Sequence, residues 1–277
     1  MCRWLAFSGS PVHVDRLLLG PKNSLIAQSL NATMGATVSN GDGFGLGWYG
    51  EREAPTLFHS IEPAWSDRNL RELAGAIRTH LLFAHIRAAT ATPVQKTNCH
   101  PFRYGRWMWM HNGFIREFAR VKRELTFDVA PALFPCIEGS TDSELFFYLA
   151  LTFGLEADPP GAVARAVHRI ETVGRAHGVE HPIRLSVATS DGVRLWAFRY
   201  SSEGDSPSLF FSTDIPTLRA TYPDNPDFAG YCDEARVIVS EPLGDLQGVW
   251  NEVPESSYGV VQRGAADTLH RFAPAPA

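Results

Sequence analysis

Apolar and polar positions alternate in short runs towards both ends of the chain and recur at helical spacing in its middle. Residues 1–9 alternate in bulk and predict a short strand. Apolar clusters over residues 15–30 predict one or two short helices, broken at Gly20-Pro21. Asp67 is placed to cap a helix that puts Leu70, Leu73 and Ile77 on one face. Residues 81–87 and 106–111 read as strands, the second entered through Tyr104-Gly105. Ile115, Phe118, Val121 and Leu125 share a helical phase and predict a helix over residues 114–125. Thr141 followed by Glu144 is a capping box that opens a helix ending near Phe153. Val163, Val167, Ile170 and Val173 line another. From Pro182 the period falls to two. Residues 183–189 and 193–200 flank a Ser190-Asp191-Gly192 turn as a hairpin, and 209–212, 236–239 and 259–262 predict further strands. The tail Ala-Pro-Ala-Pro-Ala is expected to fray.

Strands, then three helical segments, then strands again make a layered α/β or α+β domain, with no internal repeat and no clear linker. Residues 1–277 are read as one domain, because the late strands look like the completion of sheets begun earlier. With 44% hydrophobic and 20% charged residues the composition is ordinary. A chain of this length buries roughly 75% of its unfolded surface. Lys and Arg number 25 against 30 Asp and Glu, a net charge of −5 without a basic block, so no nucleic-acid partner is expected. No apolar stretch approaches a membrane span, and residues 1–9 lack the apolar core of a secretory signal. A cytoplasmic location with no membrane partner is the expectation. Four cysteines (Cys2, Cys99, Cys136, Cys232) do not make a disulfide framework. No Cys-x-x-Cys occurs, and neither a metal nor a cofactor is expected.

Candidate chemistry begins at Cys2. Methionine removal leaves small residues exposed, so the mature chain is expected to begin with this cysteine. Its thiol and free α-amine would then place a nucleophile and a base on one residue. Their ordinary pKa values, about 8.5 and about 7.7–8.0, make the amine able to take the thiol proton near neutrality. Arg87, at the end of a predicted strand, can present its fork to a carboxylate, with the Thr90 hydroxyl nearby. Asn112 and Gly113, after His111, can supply a side-chain amide and a backbone N–H as an oxyanion hole. Asp142, at a helix start, can receive an ammonium. Each piece alone reads equally as ordinary structure: a surface ion pair, an Asn-Gly turn, a helix cap.

Order and combination change that. Met-Cys-Arg-Trp-Leu-Ala-Phe-Ser-Gly at the start, Asn40 to Gly50, His85-Ile86-Arg87-Ala88-Ala89-Thr90, Thr97 to Phe102, Met110-His111-Asn112-Gly113, Ser140 to Glu144 and the late Val239 to Leu243 form one set. Together they resemble the class II glutamine amidotransferases, the N-terminal-nucleophile glutaminases. The nearer resemblance is to the YafJ-like stand-alone branch, related to the γ-glutamyl hydrolase of ergothioneine biosynthesis. The likeness runs from Met1 to about Val261. It implies an α+β fold, a four-layer αββα sandwich of the N-terminal-nucleophile hydrolase type. It implies that Cys2 is the nucleophile, that Asn112 and Gly113 form the oxyanion hole, and that Arg87 with Thr90 grips the substrate α-carboxylate. It further implies that Asp142 holds the α-ammonium and that His100, in the segment lining the pocket, contributes by orientation. One departure concerns the arginine segment: many members read Arg-Trp-Ala-Thr-His where this chain has Arg87-Ala88-Ala89-Thr90-Ala91.

Gly45, Gly47 and Gly50 match the spacing of a dinucleotide-binding turn. Trp48 and Tyr49 occupy the place where its helix would open, so a strand and turn near Cys2 is expected instead. Asp42 there is either a pocket residue or a turn stabiliser. Cys99 and His100 are neighbours on opposite faces and are not expected to form a dyad. The expected function is cleavage of glutamine or a γ-glutamyl amide through a γ-glutamyl thioester, giving glutamate and ammonia or an amine. A separate ammonia-accepting synthase is a candidate partner, no fused acceptor domain being evident. The alternative is a non-catalytic module that binds or senses glutamine or γ-glutamyl metabolites.

Overall fold

In the computed structural model, residues 2–31, 34, 39–89 and 92–276 are described. The chain starts in strand β1 (Arg3–His13), passes two short helices, α1 (Asp15–Leu18) and α2 (Leu25–Leu30), and enters β2 (Phe44–Trp48) and β3 (Thr56–Ser60). Helix α3 (Arg68–Ala76) follows, its Asp67 cap accepting the Leu70 N–H at 3.0 Å, then β4 (Arg78–Ile86), β5 (Phe102–Tyr104) and β6 (Trp107–Ile115). Three helices come next, α4 (Phe118–Phe127), α5 (Asp142–Thr152) and α6 (Pro159–Ala176), then the hairpin β7 (Ile183–Ser190) and β8 (Arg194–Ser201). The last part holds β9 (Phe210–Ser212), α7 (Ile215–Thr221), β10 (Arg236–Val239), β11 (Trp250–Glu252), β12 (Ser257–Gln262) and β13 (Thr268–Arg271).

The strands form two antiparallel sheets, one in the order β11-β9-β10-β1-β4-β2-β3 and the other β13-β12-β8-β7-β6-β5. Period-two alternation gives each sheet two apolar faces. On β1, Leu5 and Phe7 turn outward against Leu17, Leu25 and Leu70 of the helices, while Trp4 and Ala6 turn inward. The inward set meets Met108 and Met110 of β6 and Leu195 and Ala197 of β8. On the far face of the second sheet, Trp109, Leu185 and Phe198 pack against Phe146, Val163 and Ile170 of α5 and α6. The result is four layers, helix, sheet, sheet, helix, as the resemblance implies. Helix α5 is buried almost all round because neighbouring helices and the sheet enclose it.

Strand β6 differs from expectation. It does not end at His111 but runs on through Asn112 and Gly113, which pair with Ser186 and Leu185 of β7. Helix α4 accordingly starts at Phe118 rather than at residue 114. Ile115 looks in phase with that helix because it shares a core with Val121 and Leu125 while belonging to the strand. The tail is docked: Phe272 is buried, and the Ala275 N–H donates to the Ala164 carbonyl at 3.2 Å.

Candidate active site

Cys2 stands just outside the first paired residue of β1, Arg3 opposite Ile86. By the two-residue period its side chain shares the inward face of Trp4. The thiol is half-buried; its sulfur accepts the Ala88 N–H at 3.4 Å and lies 3.7 Å from the Ala88 carbonyl. Burial pushes its pKa up, opposed by the Ala88 contact, the chain's amino terminus, Arg87 and Arg3. The thiol is therefore protonated at neutral pH and needs a base to become a nucleophile.

Arg87 follows the last residue of β4 and is buried. Its backbone is held from both directions: the Arg87 N–H donates to Gly43 O at 2.9 Å and its carbonyl accepts the Asp42 N–H at 3.2 Å. One arm of the guanidinium, Nη2, donates to Thr92 Oγ1 at 2.7 Å. The other, Nη1, is buried without a hydrogen-bond partner among the described residues. The expected companion, Thr90, lies outside the described residues. Asp42 stabilises the turn, its Oδ2 accepting the Ala89 N–H at 2.7 Å.

The glycines of β2 are there for close approach. A Cβ on Gly45 would stand 2.0 Å from the His100 carbonyl, and one on Gly47 2.6 Å from Met108 Sδ. His100 is buried, its ring 4.2 Å from that of His85 and 4.5 Å from Phe102 between centroids. Neither nitrogen of the His100 ring meets a hydrogen-bond partner among the described residues. Burial lowers the pKa of His85 to about 3 and takes His100 well below the ordinary imidazole value, each helped by neighbouring positive groups. Both rings are neutral at pH 7. Cys99 is also buried, its thiol donating towards the Ser60 carbonyl at 3.5 Å, and burial lifts its pKa to about 11. It is an inert thiol. Among the described residues, no group of three or more His, Cys, Asp and Glu side chains is arranged to hold a metal.

The second sheet brings the other candidates. Asn112 is on the inward face, since Met108 and Met110 are, and its carboxamide has no partner among the described residues. Its strand partner Ser186 accepts the indole N–H of Trp4 across the gap at 3.2 Å. The first residues of β1 and Asn112 thus lie at one end of the space between the sheets. Gly113 has φ +149°, and a Cβ there would sit 2.0 Å from the Arg184 carbonyl, so only glycine fits. His111 faces the Arg184 carbonyl with Nε2 at 3.3 Å and the Ser143 hydroxyl with Nδ1 at 2.8 Å. Those partners assign the proton to Nε2. Asp142 opens α5: Oδ1 accepts the Ser143 N–H at 2.8 Å and Oδ2 the Ile115 N–H at 2.7 Å. It is half-buried; the Ser143 hydroxyl also lies 3.3 Å from Oδ1, and Oδ2 keeps a lone pair for a further donor. The Thr92 contact of Arg87 and the stacking of His85 on His100 had no signal in the sequence, because both depend on how separate loops meet.

Two stacked antiparallel sheets lie between helices, with a cysteine at the entry of the first strand. The chain belongs to the class II glutamine amidotransferases, whose family profile matches residues 21–274. It is an enzyme of that kind. It is 32% identical to a probable glutamine amidotransferase of Saccharomyces cerevisiae, DUG3, over 95% of this chain and 82% of the relative. It is 27% identical to the gamma-glutamyl-hercynylcysteine sulfoxide hydrolase of Mycobacterium tuberculosis, over 92% of this chain and 90% of that one. Among solved structures, a glutamine aminotransferase class-II domain protein from Silicibacter pomeroyi superposes with TM-score 0.75 at 33% identity, covering 99% of this chain and 100% of that one. The fold alone is shared with the glutamine phosphoribosylpyrophosphate amidotransferase of B. subtilis, with TM-score 0.65 and 13% identity over 99% of this chain and 50% of that one.

Proposed function

We propose that the enzyme cleaves the side-chain amide of glutamine or of a γ-glutamyl amide through a thioester on Cys2, with residues 1–277 working as one domain. The observation that carries this is the half-buried Cys2 thiol at the Ala88 N–H, next to Arg87, whose Nη2 arm is tied to Thr92 and whose Nη1 arm has no partner among the described residues. Once Met1 is removed, the Cys2 α-amine takes the thiol proton, and the sulfur attacks the amide carbon. The negative oxygen that forms is met by the Asn112 amide and the Gly113 N–H. The C–N bond breaks, the leaving nitrogen takes the proton from the ammonium, and water then hydrolyses the thioester to glutamate and free thiol. Arg87, with Thr90, receives the α-carboxylate and Asp142 the α-ammonium, while the neutral His100 ring shapes the wall behind them.

The hydrolase named among the relatives supports an amine-bearing leaving group as well as ammonia. If ammonia is the product in use, a separate synthase is the partner that would take it. Incubation with a glutamine-mimicking electrophile should give a single adduct on Cys2 by peptide mass spectrometry, and Cys2→Ala should bind substrate without turning it over. An unmodified Cys2 would favour a binding or sensing role, and a normally active Cys2→Ala would end the thioester reading.

A further inference from the structure

Arg3 and Glu241 are among the most deeply buried charges in the molecule. Arg3 Nε donates to Glu241 Oε2 at 2.8 Å, with side-chain exposures of 3% and 1%. A buried ion pair adds little stability over well-packed apolar residues, because both charges lose their hydration. Its placement here is informative. Arg3 Nη1 donates to the Cys2 carbonyl at 3.0 Å. Glu241 is itself held: Oε1 accepts from Asn23 Nδ2 at 3.4 Å, Oε2 from the Met34 N–H at 3.1 Å, and its carbonyl from Gln28 Nε2 at 3.2 Å. Beside it, the Trp4 N–H donates to Ser240 Oγ at 2.9 Å and the Ser240 N–H to the Trp4 carbonyl at 3.1 Å.

These contacts gain meaning from the reading of Cys2 as an N-terminal nucleophile, on which this inference rests. Cys2 lies before the first paired residue of its strand, where a chain end ordinarily frays. As a first residue its nitrogen is the base and its side chain the nucleophile, so its carbonyl is the one backbone group left to hold it. We propose that Glu241 is a positioning residue for the reaction: through Arg3 it holds the Cys2 carbonyl and so aims the thiol and α-amine at the substrate carbon. The pair also puts a guanidinium charge close enough to favour the Cys2 thiolate.

The test uses the full chain, its N-terminal cysteine verified by mass spectrometry, with a chromogenic γ-glutamyl anilide and glutamine as substrates. In Glu241→Gln, kcat should fall by about 10²-fold, the scale of an ångström misplacement, with KM nearly unchanged. The pH profile of Cys2 alkylation by iodoacetamide should no longer match the parent's, because the charge and place of Arg3 both change, and Glu241→Asp should recover part of kcat. The double variant Arg3→Met/Glu241→Leu removes both charges together and should fold, yet remain slow. Parent-like kcat and alkylation in Glu241→Gln, or recovery of parent kcat in the double variant, would overturn the proposal and leave the pair purely structural. Those outcomes with Cys2→Ala still inactive sink only the role of Glu241; an active Cys2→Ala sinks the nucleophile reading as well.

Discussion

Arg87 reaches the site half-used. Its Nη2 arm is fixed by Thr92 while Nη1 is buried without a partner among the described residues, and a buried unpaired donor is costly until something accepts from it. A substrate carboxylate would complete the fork, gaining a charge-assisted bond and relieving that cost together. Arg87→Ala should therefore raise KM for α-carboxylate substrates by about 10- to 100-fold, the equivalent of 1.5–3 kcal/mol for a bond to a charged group, with a smaller effect on kcat. Steady-state kinetics on glutamine and γ-glutamyl amides checks this, and an unchanged KM refutes the clamp. The sequence names these groups as candidates, a thiol, a fork and an amide next to a glycine, but each alone reads as ordinary structure, and only their order as a set singled them out. What the sequence left dark was which neighbour completes each group. Thr92 Oγ1 reaches the guanidinium five residues on, through a loop whose path no local pattern encodes, and Glu241 reaches Arg3 across 238 positions.

Helix α5 shows what a short local signal can and cannot reveal. Thr141 is its cap, Oγ1 accepting the Glu144 N–H at 3.1 Å, as the Thr-x-x-Glu spacing implies. Glu144 does not close the box by reaching back to Thr141. Its carboxylate instead accepts the N–H groups of Glu138 at 2.9 Å and Gly139 at 2.7 Å, tying the incoming loop to the helix. Asn98 holds the same loop from the other direction, accepting the Ser140 N–H at 2.8 Å and donating to the Pro93 carbonyl at 2.9 Å. The cap therefore sets the turn that carries Asp142. Thr141→Ala should cost about 1 kcal/mol, and Thr141→Ser should be near neutral because it keeps the accepting oxygen. Denaturant unfolding of the two variants compares them directly; equal losses would mean that the hydroxyl is not the cap. Long amphipathic elements such as α6 were legible for the opposite reason, since many residues vote for one period. The exposed edge strands β11 and β13 bury almost nothing and left no pattern to find.

The four-layer stack buries His85 and His100 ring against ring, and that gives the whole molecule a pH dependence. His85 and His100 are buried and stacked, with Arg87, His59 and His111 around them, and burial lowers the pKa of His59 and His111 as well. In the unfolded chain each ring takes a proton below its ordinary pKa of about 6.5. In the folded protein His85 stays neutral down to about 3. Between those limits the unfolded state binds more protons, so stability falls as pH drops below 6.5 and is fully retained above it. Going from pH 7.5 to 5.5 should cost about 1.4 kcal/mol for each of the two stacked rings, and below that the loss should steepen to about 1.4 kcal/mol per ring for each pH unit. Urea unfolding midpoints across this range measure the slope. His100→Phe keeps a flat ring against Phe102 but cannot titrate, so it should flatten the slope by about half when the two rings dominate. A slope identical to that of the parent would place the acid sensitivity in other groups.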